Sequence, residues 1–510
     1  MKQLINTING FSNVELRFKM TKRLLIILTV IFSLQACSED FLNRDPKGNL
    51  TAETFFENEQ HAIWATNAIY ANFRSWEYCG LPYLGATDIV SDDADKGSTE
   101  TDGPYLKEVD DFQFDATNQT FSTIWKGHYQ TIARANIAIN RIPDIDMKAE
   151  LKERLIGEAK FLRAFNYFRL VQWFGDIPLV LTQLADDQYF SQKRNPKTEI
   201  YTQIEKDLLD AISALPERSK YKSEDLGRAT KGAAKGILAK LYMLDKKYDK
   251  ALVLCEEIIK SGEYSLLPNY NQIFTQAGEN GAESMFEIGA VALQASVVGS
   301  GATPYNMVQG VRGVPNLGWG FNRPSDDLIA NYEAGDPRRQ ATIIYVGEVL
   351  PDGSTIVQDN PEILDERFNQ KAWVGSHPGL QDNGPGNIRL LRYADIILLA
   401  AEAANELGNA SKALEYVNMT RKRARGTNNF ILKDLTITDK DALRTAIRRE
   451  RRSELAMEQH RWFDLQRWGI QKEVMTKVGK TFVSNKHELF PLPQTEIDLG
   501  GGSLGQNQGY

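Results

Sequence analysis

The chain has 510 residues and a formal charge of −7, with 42 % hydrophobic and 25 % charged side chains. That composition can bury a sizeable core and excludes a disordered or fibrous chain. The acidic balance argues against nucleic acid or an anionic lipid surface as partner.

The N-terminus differs in character from everything after it. Lys22 and Arg23 precede an apolar run from Leu24 to Leu34, which closes on Leu34-Gln35-Ala36-Cys37. A basic stretch, an apolar core of about 7–15 residues and a small residue before the cut describe a secretory signal. The core is shorter than the roughly 20 residues needed to span a bilayer. The closing tetrapeptide resembles a lipobox, which predicts cleavage before Cys37 and acylation of that cysteine. Residues 1–36 are therefore read as a signal peptide, with 1–19 a misassigned start ahead of Met20. Their net charge of +4 leaves −11 on the mature part. Residues 37–50 read as lipidated cysteine and extended tether, and 51–510 as a single domain.

A first helix is expected after Thr51, with Ala62, Ile63, Ala65, Ile69, Tyr70 and Phe73 at helical spacing. Periodicity then fails over 76–115, which is rich in Asp, Gly and Pro and reads as a long functional loop region. Helices are predicted at 120–141, 147–174, 197–215, 230–244 and 248–261. A second irregular region, 264–387, carries strand-like pieces at 284–288 and 342–346. Helices return at 389–407, 410–425 and 441–468, and the tail from 485 is irregular. Small residues at Ala233, Gly236 and Ala239, then Tyr242 and Ala251, give 230–261 the look of a tetratricopeptide unit. Ala400, Ala403, Gly408 and Ala413 repeat the scheme. The fold class is thus mainly α, a tetratricopeptide-like scaffold with long irregular loops and a few short strands.

The chemistry-bearing residues point away from catalysis. The five histidines, His61, His128, His377, His460 and His487, are scattered, and none pairs at metal-ligand spacing. The run Asp92-Asp93-Ala94-Asp95-Lys96-Gly97 has the sixth-place Gly of a calcium loop. It puts Ala94, Lys96 and Gly103 where carboxylates are needed, so the expectation is solvated loop acids, with a loose calcium site as the other reading. Cys79 and Cys255 do not make a disulfide framework, although one bridge is conceivable in an exported chain. The arginines from Arg444 to Arg467 alternate with Glu450, Glu454, Glu458 and Asp464 at three- and four-residue spacing, which predicts an ion-paired, packed helix. Binding is left to aromatics in the irregular regions, where flat rings suit the apolar faces of sugars. The candidates are Trp76, Tyr83, Tyr105, Tyr305 and Trp319, with Asn306, Asn316 and Asn322 as neighbouring polar groups.

Several segments, in this order, carry a family resemblance: FLNRDPKGNLTAETFF after the lipobox cysteine, ATDIVSDDAD, AKFLRAFNYFRLVQWFGDIPLV, IRLLRYADIILLAAEAANELG, IRRERRSELAMEQHRWFDLQRWG and the tail LFPLPQTEIDLGGGSLGQNQGY. The chain resembles a SusD/RagB-type outer-membrane lipoprotein of the Bacteroidetes. The resemblance implies four tetratricopeptide-like helix pairs beneath irregular loops. It also implies a cell-surface position over a SusC-type TonB-dependent transporter, to which glycans are delivered. A RagB-like peptide binder is the alternative, and a lipoprotein glycosidase or a purely structural adaptor are more distant ones. Ser38-Glu39-Asp40 is similar to the surface-export signal of such lipoproteins. No cofactor is implied.

Overall fold

The computed structural model describes residues 18, 20–23, 55–291, 301–312, 318–349, 353, 355–357, 367–375 and 384–510. The chain divides into Met1–Glu57 and Asn58–Tyr510. In the first unit, residues 20–23 are helical and exposed, with the Lys22 ammonium over the Phe18 ring. Thr51 and Cys37 lie outside the described residues.

The second unit is built on long helices. These are α1 (Glu59–Asn72), α2 (Gln119–Arg141), α3 (Ala149–Phe174), α4 (Lys197–Ala214), α5 (Lys231–Leu244), α6 (Tyr248–Ser261), α7 (Tyr393–Glu406), α8 (Ala410–Arg425), α9 (Lys440–Leu455) and α10 (Arg461–Trp468). Asn58 caps α1, its side chain accepting from His61 N. α3 packs on α2 and α4, α5 pairs with α6, and α7 pairs with α8. Small residues set these approaches. A Cβ on Gly236 of α5 would come within 2.7 Å of Leu391 Cδ2, and one on Gly157 of α3 within 2.9 Å of Ala214 Cβ. α3 is buried over most of its length, and Arg163 in it grips Asp207 of α4 through two bonds of 2.8 and 2.7 Å.

Among the described residues, six short strands sit among the helices: β1 (Ala94–Gly97), β2 (Ser284–Ile288), β3 (Phe321–Pro324), β4 (Ile343–Tyr345), β5 (Arg367–Asn369) and β6 (Ile388–Arg392). Among the described residues they form antiparallel pairs β1–β3, β2–β6 and β4–β5. Two expectations need correcting here. Residues 389–392 belong to β6 and not to the start of a helix, because all five residues of β6 are buried and four of them pair with β2. The helix expected over 441–468 breaks into α9 and α10, where Met457 and Gln459 adopt φ of 62° and 64°. Glu458 at the break accepts from Lys371 Nζ at 2.7 Å and Arg392 Nε at 2.6 Å, so tertiary ion pairs override helical continuity.

Cys79 and Cys255 are both free and buried, so the conceivable bridge is not formed. Arg163, Phe165, Tyr167 and Trp173 lie in the core.

Candidate functional site

The two irregular regions of the sequence meet at β1–β3. Asp95 stands opposite Arg323 and Gly97 opposite Phe321, and Ser98 N donates to Gly320 O at 2.7 Å. Lys96 braces the turn that follows, its ammonium donating to Thr99 O at 2.6 Å and Asp102 O at 2.8 Å. This join brings together one tryptophan from each region.

Trp76 opens the short helix Trp76–Cys79 and is 38 % exposed. Its indole lies over Gly80, where an added Cβ would fall 2.4 Å from Cδ2. Trp319 is half-buried and held by its backbone, since Trp319 N donates to Met307 O at 2.8 Å and Gly320 N to Gly310 O at 3.0 Å. The flanking glycines have a packing reason. A Cβ on Gly318 would strike Gly310 C at 2.3 Å, and Gly320 has a φ of +76°. The two indoles face each other at a centroid distance of 6.2 Å and an angle of 50°. The pair is tilted and not stacked, and both residues keep part of their surface exposed.

A polar cluster is tied to the Trp319 backbone. Arg312 Nη1 donates to Trp319 O at 3.3 Å, to Ser98 Oγ at 2.6 Å and to Asp102 Oδ2 at 2.5 Å. The guanidinium therefore ties the Trp319 segment to the loop after β1. Side chains of Arg312 and Asp102 keep 28 % and 35 % of their surface exposed, enough to meet a ligand. Sequence reasoning singled out neither residue, because the pair spans 210 positions.

The remaining candidates are placed differently. Tyr83 is buried, stacked 6.3 Å from His128 and edge-on to Trp173 at 5.8 Å, so it is a core ring and not a platform. Tyr305 is buried too, its hydroxyl accepting from Gln459 Nε2 at 2.8 Å. Both lie on short helices whose periodicity is too brief to read from sequence. Tyr105 is half-buried in the helix Pro104–Asp110, and burial pushes its phenol up to about 12. Asn306 and Asn322 are buried braces, the first donating to Ala372 O and accepting from Gly386 N. Asn316 lies outside the described residues.

Two acids of the run, Asp92 and Asp93, are not solvated, whereas Asp95 stays part-exposed. Asp92 and Asp93 are buried, and Arg461 takes both oxygens of Asp92 at 2.7 and 2.8 Å. Arg452 donates to Asp93 Oδ1 at 2.7 Å. Burial opposes ionisation of Asp92, yet Arg461 and Arg452 hold its carboxyl well below the usual range. Asp88, in a π-helical turn at Gly85–Ile89, accepts from Gln459 N at 2.9 Å and Asn322 Nδ2 at 3.2 Å. Burial, with Asp93 and Glu458 close by, pushes it up to about 7.

Gly501-Gly502-Ser503-Leu504-Gly505 has the spacing of a nucleophile elbow, but it lies in turns after the helix Gln494–Leu499 and not between strand and helix. Ser503 Oγ donates to Gln192 O at 2.9 Å. Among the described residues, no group of three or more His, Cys, Asp or Glu is arranged to hold a metal ion.

Comparison with known proteins agrees with this architecture. Residues 67–243 match a family model described as starch-binding and associating with the outer membrane, and 282–510 match that of the SusD family. SusD-like protein P2 of Formosa agariphila is 29 % identical over 520 residues, covering 96 % of this chain and 100 % of that protein. A laminarin-binding SusD-like protein superposes with a TM-score of 0.76 at 28 % identity, covering 89 % of this chain and 100 % of the other. Surface glycan-binding protein A of Bacteroides thetaiotaomicron, solved with laminarihexaose, gives 0.73 at 26 %, covering 88 % and 99 %. The fold is therefore shared with proteins described as binding laminarin and surface glycans. Within that class the chain belongs to the SusD/RagB family. Among the described residues no helix is long and apolar enough to cross a membrane.

Proposed function

We propose that this protein captures a glycan between Trp76 and Trp319 and delivers it to a SusC-type TonB-dependent transporter, while lipid on Cys37 holds it at the outer face of the outer membrane. The carrying observation is the tilted indole pair, 6.2 Å apart, with the part-exposed Arg312–Asp102 pair bonded to the Trp319 backbone. The C–H faces of a sugar ring suit the indoles, and its hydroxyls suit the paired guanidinium and carboxylate. Two relatives of the same fold support the reading, one described as laminarin-binding and one solved with laminarihexaose. Multiple acyl chains would anchor the body stably, where one alone binds marginally. Confinement to the membrane plane raises its effective concentration at a transporter without any covalent link.

Affinity electrophoresis against a polysaccharide panel that includes laminarin and starch tests the binding step. Retardation by at least one glycan is expected. Trp76→Ala and Trp319→Ala should each weaken it about tenfold, the equivalent of about 1.4 kcal/mol. Unchanged mobility on every glycan, with retention on a peptide mixture, would transfer the protein to the RagB-like peptide binders. Radiolabelled palmitate incorporation, lost in Cys37→Ser, tests the anchor, and co-purification of a TonB-dependent transporter with the affinity-tagged chain tests delivery.

A further inference from the structure

The segment that brings Trp319 to the site is almost free of charge. Between Glu287 and Arg323, over residues 288–322, the only Asp, Glu, Lys or Arg is Arg312. That guanidinium already has a carboxylate partner, since its Nη1 donates to Asp102 Oδ2 at 2.5 Å as well as to Ser98 Oγ. The opposing segment adds no unmatched cation beside the platform. Lys96 is committed to Thr99 O and Asp102 O, and Arg323 donates to Asp95 Oδ2 at 2.7 Å. Lys126 stands 3.8 Å from Glu77, the residue next to Trp76. Arg74, two residues before Trp76, lines a separate hollow with Tyr70, Arg228 and Glu224.

A uronate or sulfate ester is recognised through charge-assisted bonds from arginine or lysine. Here such a group would have to displace Asp102 from Arg312 or sit beside its carboxylate, and like charges in contact are unfavourable. A neutral sugar faces no such conflict. A pre-formed Arg–Asp pair offers a donor and an acceptor side by side, which matches two neighbouring hydroxyls.

Resting on the glycan reading above, we infer that the Trp76–Trp319 site takes uncharged glycans and excludes uronic and sulfated ones, with the Arg312–Asp102 pair as the specificity-determining contact. Affinity electrophoresis of the protein on neutral polysaccharides (laminarin, starch, xylan) and anionic ones (alginate, polygalacturonate, carrageenan) tests it. Retardation is expected on at least one neutral gel and on no anionic gel. Asp102→Asn should weaken neutral binding about tenfold and, by leaving Arg312 without its counter-charge, bring measurable retention on an anionic gel. Arg312→Gln should weaken neutral binding and gain nothing on anionic gels, which separates the effect of charge from loss of a loop contact. Anionic retention by the unmodified protein that Trp319→Ala abolishes would overturn the inference and leave glycan binding standing. Neutral binding unchanged in both Asp102→Asn and Arg312→Gln would also overturn it. Retention on no gel at all would instead remove the glycan reading on which it rests.

Discussion

Arg452 Nε and Asp93 Oδ1 lie 2.7 Å apart with both side chains buried, a contact between residues 359 positions apart. The same guanidinium donates to Asp92 O at 2.8 Å and Asp327 Oδ2 at 2.7 Å. Asp93 O in turn accepts from Ser325 N at 2.9 Å, so this one arginine of α9 fixes the end of the join where β1 begins and β3 finishes. Removing one partner of a buried ion pair typically costs about 3–5 kcal/mol, because the other charge is left uncompensated. Arg452→Ala should lose stability of that order in urea unfolding. It should also weaken glycan retention at temperatures where the chain is still folded, because β3 follows directly on Trp319. Arg452→Lys should rescue little, since one ammonium cannot reach three acceptors held in a fork. Full stability in Arg452→Ala would show that the join stands without α9.

The helices were legible wherever one face is apolar and the other wet. The expectation for 248–261 matches α6, that for 410–425 matches α8, and that for 284–288 matches β2. Legibility fails in short pieces that are buried all round, not in long ones such as α3. In 388–392 the two arginines fall three apart, as on a helix, yet both are buried, and pairing with β2 decides. It fails again at Asp92 and Asp93. Nothing local reveals a buried acid whose arginines lie some 360 residues on, so solvated carboxylates are the natural but mistaken expectation. The candidate site was half legible. Aromatics in irregular sequence pointed to Trp76 and Trp319, which meet, and equally to Tyr83 and Tyr305, which the core takes. Burial in a short helix is invisible to periodicity.

Gly80 gives a way to move one platform ring with little disturbance to the core. Its φ of −94° and ψ of −175° suit any residue, so an added methyl brings no backbone strain. That methyl would meet the Trp76 indole at 2.4 Å from Cδ2, and the indole, being 38 % exposed, can swing outward. Gly80→Ala should therefore change unfolding by less than about 1.5 kcal/mol, as surface-directed changes do. It should reduce glycan affinity about tenfold, like the loss of one stacking contact. Unchanged affinity together with an altered tryptophan emission spectrum would place Trp76 outside the binding site.

The two cysteines of the second unit are inert thiols by position. Cys79 Sγ donates to Phe73 O at 3.0 Å, and burial pushes both thiols well above their ordinary range. In the Cys37→Ser chain, native protein should not react with a thiol reagent over minutes, whereas denatured protein should release two equivalents. Fewer than two in denaturant without reductant would mean that they pair.

Asp88 sets a pH dependence whose sign is opposite to that of an ion-paired carboxylate. Its folded-state value of about 7 stands above the ordinary 3.8 because the side chain is fully buried, with Asp93 and Glu458 adding repulsion against bonds from Asn322 and Gln459. The unfolded chain gives up this proton near pH 4, whereas the folded chain keeps it until near pH 7. Stability is thus lost as pH rises through that interval, and above it the fold carries a buried charge that water would solvate better. The ceiling is about 4 kcal/mol, from roughly three pH units at 1.36 kcal/mol each. Asp88→Asn removes the titration and keeps an oxygen to accept from Gln459 N. Its amide can face Asn322 Oδ1, which is buried and makes no hydrogen bond. The variant should be more stable than the parent at pH 8, and the difference should shrink by 2 kcal/mol or more, within the same ceiling of about 4 kcal/mol, on going to pH 5. Taking the difference between variant and parent cancels the titration of groups common to both. A stability difference equal at pH 5 and pH 8, measured by urea unfolding, would mean that Asp88 stays ionised throughout. The strained turn at Met457 and Gln459 would then be presenting its backbone N–H to a charge and not to a neutral acid.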